Sequence, residues 1–171
     1  MSYTTQTKVE DYLGETVDDV SDYISAVENF IDNYTQRNFE ADESASERYY
    51  DGDGSTVLWI DDCVEVTKVE VGDDIYGDSF TEVTAYKLRP YNDKPYRQVV
   101  LEEEYFLRGI KNQRITARWG YSDEVPSDIE LAATKLVGGI ISEKNEEEAG
   151  DVSKESIGDY SITYADISER A

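Results

Sequence analysis

The sequence has no histidine among its 171 residues and one cysteine, Cys63. Without histidine, the Ser-His and Cys-His arrangements of nucleophilic catalysis are excluded, and the most common zinc ligand is missing. One cysteine cannot form an internal disulfide, so a disulfide-stapled secreted scaffold is excluded as well. We expect Cys63 to be a buried structural thiol, and we predict no metal site, no cofactor and no catalytic residue.

Long apolar stretches are also missing. No segment approaches the roughly 18–20 consecutive apolar residues of a membrane span. The first residues, MSYTTQTKVEDYLG, lack the basic and apolar regions of a signal peptide, and we therefore expect none. The sequence predicts no membrane partner.

Cations are scarce, since 16 Lys and Arg face 39 Asp and Glu, for a net charge of −23. This balance argues against an electrostatic grip on DNA. The acids are spread over the whole chain, so the folded surface must repel itself in dilute buffer. At about 1 M salt the Debye length falls to about 3 Å, which removes most of that repulsion. We therefore expect a halophilic host; an ordinary acidic protein of a mesophile is the alternative.

Two helical stripes and a strand-rich middle organise the chain. Apolar residues recur at three-four spacing in 16–37 and in 126–143, and we expect the two stripes to pack together. Six short strand candidates lie between them, which predicts a small antiparallel sheet or barrel. The DGDG turn at 51–54 predicts a hairpin rather than a calcium loop, and the phase slip at Thr67-Lys68 predicts a bulge or a bend.

The last part of the chain is predicted to extend away from the globular unit and to bind a partner. Residues 142–156 are polar and form a linker or an exposed helical extension. In 157–167, the last three of the four apolar or aromatic residues alternate with period two, as in a strand; the four are Ile157, Tyr160, Ile162 and Tyr164. Such a segment has little core of its own, and we expect it to add to the edge of a partner. The alternative is a last strand that folds back onto its own sheet.

Few residues suggest chemistry. The acidic pairs lie mostly in predicted turns, where water keeps them ionised; Asp61 and Asp62 are the least turn-like. Two other groups are candidate contacts between subunits. The glycine pair inside the second helix indicates either the close approach of another helix or a tolerated weakness in a buried turn. The basic group in the middle of the chain is either a seam between subunits or paired internally. These candidates are Arg108, Lys111, Arg114, Arg118, Gly138 and Gly139.

The order of these parts resembles the head–tail connector (adaptor, or head completion) proteins of tailed phages. The first helix ends in NFIDNYTQRNFE, and RYYDGDGSTVLWIDDC and VEVTKVEV follow. RITARWGYSDEVPSDIELAATKLV and the terminal ESIGDYSITYAD complete the resemblance, which covers nearly the whole chain. The high acidity departs from the usual family member and suggests a virus of a halophilic archaeon.

The resemblance implies an α+β fold: a helical bundle with an inserted small antiparallel β domain and an extended C-terminal arm. Residues 1–145 would be one globular unit, with N-terminal helices in 1–39, the β insertion in 46–122 and the C-terminal helix in 126–145. Residues 146–171 would be a linker and a portal-binding arm. The resemblance assigns portal contact to Ile157, Tyr160, Ile162 and Tyr164.

The function implied is that of a non-enzymatic virion protein, made in the host cytoplasm and located in the neck between capsid and tail. Copies would form a ring, commonly of twelve, that docks on the portal protein, meets a stopper or tail protein and extends the channel through which genomic DNA passes without specific binding. A neighbouring neck component, either the stopper or the tail-completion protein, is one alternative. A halophilic carboxylate hydrolase is the other.

Overall fold

The computed structural model describes residues 2–77, 79–148, 154–157 and 160–163. Its elements are, in chain order, α1 (Gln6–Leu13), α2 (Ser21–Thr35), β1 (Ser46–Gly52), β2 (Val57–Gly72), β3 (Phe80–Glu82), β4 (Tyr86–Arg89), β5 (Tyr96–Leu101), β6 (Gly109–Trp119), α3 (Ser127–Glu148), β7 (Lys154–Ile157) and β8 (Tyr160–Thr163). They fall into two compact units: residues 29–130, and residues 2–28 with the chain from 131 onward. No helix in the described residues is both long and apolar enough to cross a lipid bilayer.

The larger unit is built on a six-stranded sheet. The strand order is β1-β6-β2-β5-β4, with β3 also paired to β2, and every pairing is antiparallel. One face carries the core, in which Phe106, Ile115 and Trp119 are fully buried. Strand β2 runs for 16 residues, because its apolar side chains find partners first against β5 and then against β6 and β3.

The predicted fold class, a helical bundle with an inserted small β domain, is wrong. Over the part of the chain that the structure describes, the protein is mostly antiparallel sheet, with six strands in one sheet and three helices. The apolar residues at helical spacing were easy to recognise in the sequence, and the prediction therefore overestimated the contribution of the helices to the fold. α1 has only 8 residues, whereas the longest strands have 16 and 11, and the 11-residue strand contributes two of the three largest fully buried side chains, Trp119 and Ile115.

The predicted hairpin between β1 and β2 is also wrong, because β1 pairs with β6. Gly52, at the end of β1, shows why. Its N–H donates to Oδ1 of the buried Asn112 at 3.0 Å, and a Cβ at this position would lie 1.9 Å from the carbonyl oxygen of Leu107. These contacts fix the end of β1 to the start of β6. The predicted bulge is confirmed by a register shift between Val66 and Lys68 in the β2–β6 ladder.

The smaller unit contains α1, the beginning of α2 and most of α3. α2 begins at Ser21 rather than at Thr16, because the preceding backbone bonds to α1 instead of continuing a helix. The N–H of Val17 donates to Glu10 at 3.3 Å, and its carbonyl accepts from Gln6 at 3.1 Å. A buried hydrogen bond of 2.7 Å joins the hydroxyls of Thr4 and Thr134.

The C-terminal segment begins as the helical extension that was one of two expectations, since α3 continues to Glu148. Strands β7 and β8 then pair antiparallel with each other, with Ile157 opposite Tyr160, in a sheet of their own. In the described residues, this segment is therefore a pair of strands rather than one extended arm.

Candidate interaction surfaces

An apolar patch lies at one end of the large sheet, where β2 turns toward β3 and β6 begins. Ile75, Tyr76 and Ile110 form it, and their side chains are 52%, 68% and 62% exposed. The N–H of Ile110 donates to the carbonyl of Ile75 at 2.8 Å, which holds the two loops together. Asp74 accepts from the N–H groups of Tyr76 and Gly77 at 2.8 Å and fixes the turn. This tip patch is a candidate contact surface, because exposed apolar clusters mark interaction sites.

A second surface is a pair of aromatic rings on α2. Phe30 and Tyr34 lie one helical turn apart, with ring centroids 6.0 Å from each other in a stacked arrangement. Both are exposed, Tyr34 at 82%. Aromatic residues are enriched at protein interfaces, so this aromatic pair is well suited to a partner surface.

The two glycines predicted at a subunit contact have different surroundings. A Cβ on Gly138 would lie 2.7 Å from the ring of Tyr12, so this glycine admits a side chain of α1 in the same chain. A Cβ on Gly139 would meet no atom within 4 Å. Gly139 and the neighbouring exposed Leu136 and Ile140 form an open face of α3.

Two of the four predicted basic residues are paired inside the chain. The guanidinium of Arg114 makes two hydrogen bonds of 2.8 and 2.7 Å to the carboxylate of the buried Glu70. These bonds hold the pKa of Glu70 at about 2, below its usual value of 4.5. Arg118 donates to Asp123 at 2.9 Å and to the carbonyl of Asp42 at 3.1 Å. Of the two alternatives that the sequence left open, a seam between subunits or internal pairing, Arg114 and Arg118 show internal pairing.

The other two basic residues lie at the beginning of β6. The N–H of Lys111 donates to Asp51 at 2.7 Å, with φ of 52° at Lys111. Hydrogen bonds from Ser55 lower the pKa of Asp53, and the charge of Arg108 adds to that effect. These contacts fix the backbone around the end of β1. A role of Arg108 and Lys111 in a contact between subunits stays a prediction.

The acidic pair Asp61 and Asp62 lines a polar cavity of about 250 Å³. Asp61 accepts from Nη1 of Arg48 at 2.8 Å and from the hydroxyl of Tyr50 at 2.9 Å. Asp62 lies 3.5 Å from Nε of Arg37. A catalytic carboxylate pair needs one member in an apolar pocket, whereas each of these faces an arginine. The geometry gives the hydrolase alternative no support at this pair.

Cys63 is fully buried, as predicted. Burial raises the pKa of its thiol to about 12, with the nearby Asp62 adding to the effect. Its Sγ lies 3.6 Å from the carbonyl oxygen of Tyr96. Because a thiol with a raised pKa is a poor nucleophile and a poor ligand, the structural role fits.

Three of the four residues assigned to portal contact lie in the C-terminal strands. Ile157 closes β7, while Tyr160 and Ile162 lie in β8, where Ile162 pairs with Glu155. Tyr164 lies outside the described residues. The structure brings the first three together through one pair of strands.

The sequence analysis missed a basic hairpin at the edge of the large sheet. Residues 83–101 form β4, β5 and their loop, and they contain four cations and a single acid, Asp93. The cations are Lys87, Arg89, Lys94 and Arg97. A charge count in short windows would have found this segment, because it is net positive in a chain of −23.

The fold is similar to that of a chain in a solved structure described as "Neck of empty GTA particle computed with C6 symmetry". The TM-score is 0.58 at 15% sequence identity, and the match covers 80% of this chain and 76% of that one. No protein-family model and no curated protein matches the sequence. The two chains thus share a fold at low sequence identity.

Proposed function

We propose that this chain is a structural protein of the neck of a tailed virus or virus-like particle, and that it forms the adaptor ring between portal and tail. The observation that carries the proposal is the fold shared with a neck chain of a gene transfer agent, a phage-like particle. The order of motifs along the sequence supports the same role independently, since it resembles the connector proteins of tailed phages.

The exposed surfaces support assembly. The tip patch and the aromatic pair on α2 present large apolar side chains to solvent. In a ring, such surfaces lie between copies or against the next component of the neck. The related neck was computed with C6 symmetry, with which a ring of twelve is compatible. The net charge of −23 gives the ring an acidic channel that repels passing DNA and keeps it from sticking.

The C-terminal segment is proposed to hold the portal through Ile157, Tyr160, Ile162 and Tyr164. Deleting residues 151–171 tests this assignment, with a variant that lacks only residues 165–171 as the matched control. We expect the longer deletion to remain folded by circular dichroism and to form rings, but to lose binding to the portal of the same particle in electron micrographs. The shorter deletion should still bind. Unfolding of the longer deletion, or undiminished portal binding by it, would contradict the assignment.

Electron microscopy of the full chain with portal also distinguishes the adaptor from its neighbours. An adaptor forms a ring that binds portal directly. A stopper or tail-completion protein would leave the portal bare until another neck component is added. A portal that stays bare until then would show that the chain is a stopper or a tail-completion protein rather than the adaptor, and the chain would still belong to the neck.

Concentrated salt is proposed as the working environment. Circular dichroism over a salt series should show folding that becomes complete only toward molar salt, because screening removes the self-repulsion of the acidic surface. Complete folding in a few millimolar salt would contradict the halophilic assignment without touching the neck role.

A further inference from the structure

The large sheet ends in two edges. Strands β1 and β4 are the outermost strands in the order β1-β6-β2-β5-β4, and within the described residues each is paired on one side only. An edge strand carries a row of backbone N–H and C=O groups that can pair with another chain. Both edges belong to the same unit, so each copy of the protein presents both.

The two edges carry opposite charge. On β4, Tyr86 and Leu88 pack against the core, and the alternation of a strand therefore directs Lys87 and Arg89 to the opposite face. On β1, Tyr50 packs against the core, and the same alternation puts Glu47 and Asp51 on that opposite face.

The surrounding chain strengthens the contrast. Residues 83–101, which include β4, have four cations and one acid. Residues 40–53, which include β1, have six acids and one cation, Arg48. Of the four cations, Lys94 lies 3.7 Å from Asp123 and Arg97 lies 4.0 Å from Asp62. The contrast between the edge strands themselves therefore rests on Lys87 and Arg89 of β4 and on Glu47 and Asp51 of β1.

The charged groups of the edges are accessible. The guanidinium of Arg89 contacts the ring of Tyr91 and donates to its hydroxyl at 3.0 Å. Lys87 pairs with Glu102 at 2.5 Å, with 58% of its side chain exposed. Glu47 accepts from the hydroxyl of Tyr49 at 3.3 Å and is 49% exposed. Such exposed pairs are weak, so a partner strand can replace them.

The edges also run in the same direction. Every neighbouring pair along the order is antiparallel, and four such steps lead from β1 to β4. In a ring, one rotation relates each copy to the next, so β4 of one copy meets β1 of the next with the same strand sense. The twist of the sheet, about 20–25° per step, sets the angle at which the two strands cross. Such a head-to-tail contact closes into a ring, whereas a pairing of two like edges would bring like charges together.

We infer that the basic β4 edge of one copy binds the acidic β1 edge of the next copy, with Lys87 and Arg89 facing Glu47 and Asp51. The occupant of each edge is thus a second copy of this chain. The inference rests on the proposed ring function and names the surface through which the ring closes.

Charge reversal on the full chain tests this contact. One variant carries K87E and R89E, and a second carries E47K and D51K. Because Asp51 also accepts the N–H of Lys111 at 2.7 Å, E47K alone replaces the second variant if the double substitution unfolds the chain. A matched control carries K8E and K135E, two exposed cations outside the sheet. Each alone is checked for folding by circular dichroism and for assembly by sedimentation and electron microscopy at 0.15 M salt and in molar salt. At the lowest salt concentration at which every protein is folded, we expect the wild type and the control to form rings and each edge variant to lose at least ten-fold in ring yield. Molar salt should reduce that loss, because it screens the repulsion between like edges.

Mixing the two edge variants gives the decisive measurement. Each then presents to the other an edge of opposite charge, so rings of alternating copies should return to near the wild-type yield. If the edge variants assemble as well as the control, or if mixing restores nothing although both variants are folded, the edge contact is overturned while the ring function stands. If the wild type forms no ring at any salt concentration, the ring function itself fails, and the edge contact fails with it.

Discussion

Aromatic side chains meet opposite surroundings in the sheet and on α2. Phe106 and Trp119 are buried completely against the strands, whereas Phe30 and Tyr34 on α2 stack on each other in solvent. The same residue types therefore stabilise the fold in one region and remain available for partners in the other. The two roles can be separated by making the same kind of substitution at a buried and at an exposed position and comparing the change in the free energy of unfolding.

The largest effect is expected from Phe106→Ala. Removing a fully buried phenylalanine leaves a cavity, and the free energy of unfolding should fall by about 3–5 kcal/mol. Phe30→Ala is the matched control and should change it by about 0.5 kcal/mol or less, because the ring is 58% exposed. Urea unfolding followed by circular dichroism measures both. Equal losses would mean that Phe30 belongs to the fold rather than to an interface.

The next effect concerns buried and exposed ion pairs. Glu70→Gln removes the carboxylate that accepts two hydrogen bonds from Arg114 and should lower the free energy of unfolding by about 2 kcal/mol at pH 7, since the guanidinium left behind is partly exposed. Glu102→Gln removes an exposed pair with Lys87 and should change it by about 1 kcal/mol or less. Chemical unfolding of both variants beside the wild type measures the contrast.

The same pair predicts a pH dependence. The pKa of Glu70 is about 2 in the folded protein and 4.5 without its partners, so the folded state favours the ionised carboxylate. This contribution is fully present above about pH 4.5 and is lost as the pH falls toward 2. Between those values the wild type should lose more stability than Glu70→Gln. Parallel stability curves for the two proteins would contradict the assignment.

The smallest effects are expected in the glycine pair of α3. Gly138→Ala places a methyl 2.7 Å from the ring of Tyr12 and should lower the free energy of unfolding by about 1–3 kcal/mol. Gly139→Ala meets nothing within 4 Å and should raise it by about 0.5–1 kcal/mol, because alanine favours a helix. Thermal unfolding distinguishes them by sign. Equal signs would show that the two positions do not differ as their surroundings indicate.

The local pattern predicted the elements better than their pairing. Apolar spacing located α2 and α3, and the phase slip at Thr67-Lys68 located the bulge, because both signals lie within a few residues. The pairing of β1 with β6 joins segments about 60 residues apart. It depends on Gly52 meeting Leu107 and Asn112, and no local pattern encodes such an encounter.

Candidate contact residues could be predicted from the sequence only where cations cluster in a chain that is otherwise acidic. The basic group of β6 was visible in the sequence, but its partners were not, since Glu70 precedes Arg114 by 44 residues. The edge hairpin with Lys87 and Arg89 was visible as a charge window, but only the strand order shows that it lies opposite the acidic β1 edge.

Strand β2 has β6 on one side and β5, then β3, on the other. Detaching the whole strand opens three ladders, whereas β1 and β4 each detach by opening one. Amide protons of β2 should therefore exchange with solvent only through global unfolding, and those of the outer strands through local opening. Under mechanical load, the sheet would be expected to fray inward from its margins and to keep its central strand until last.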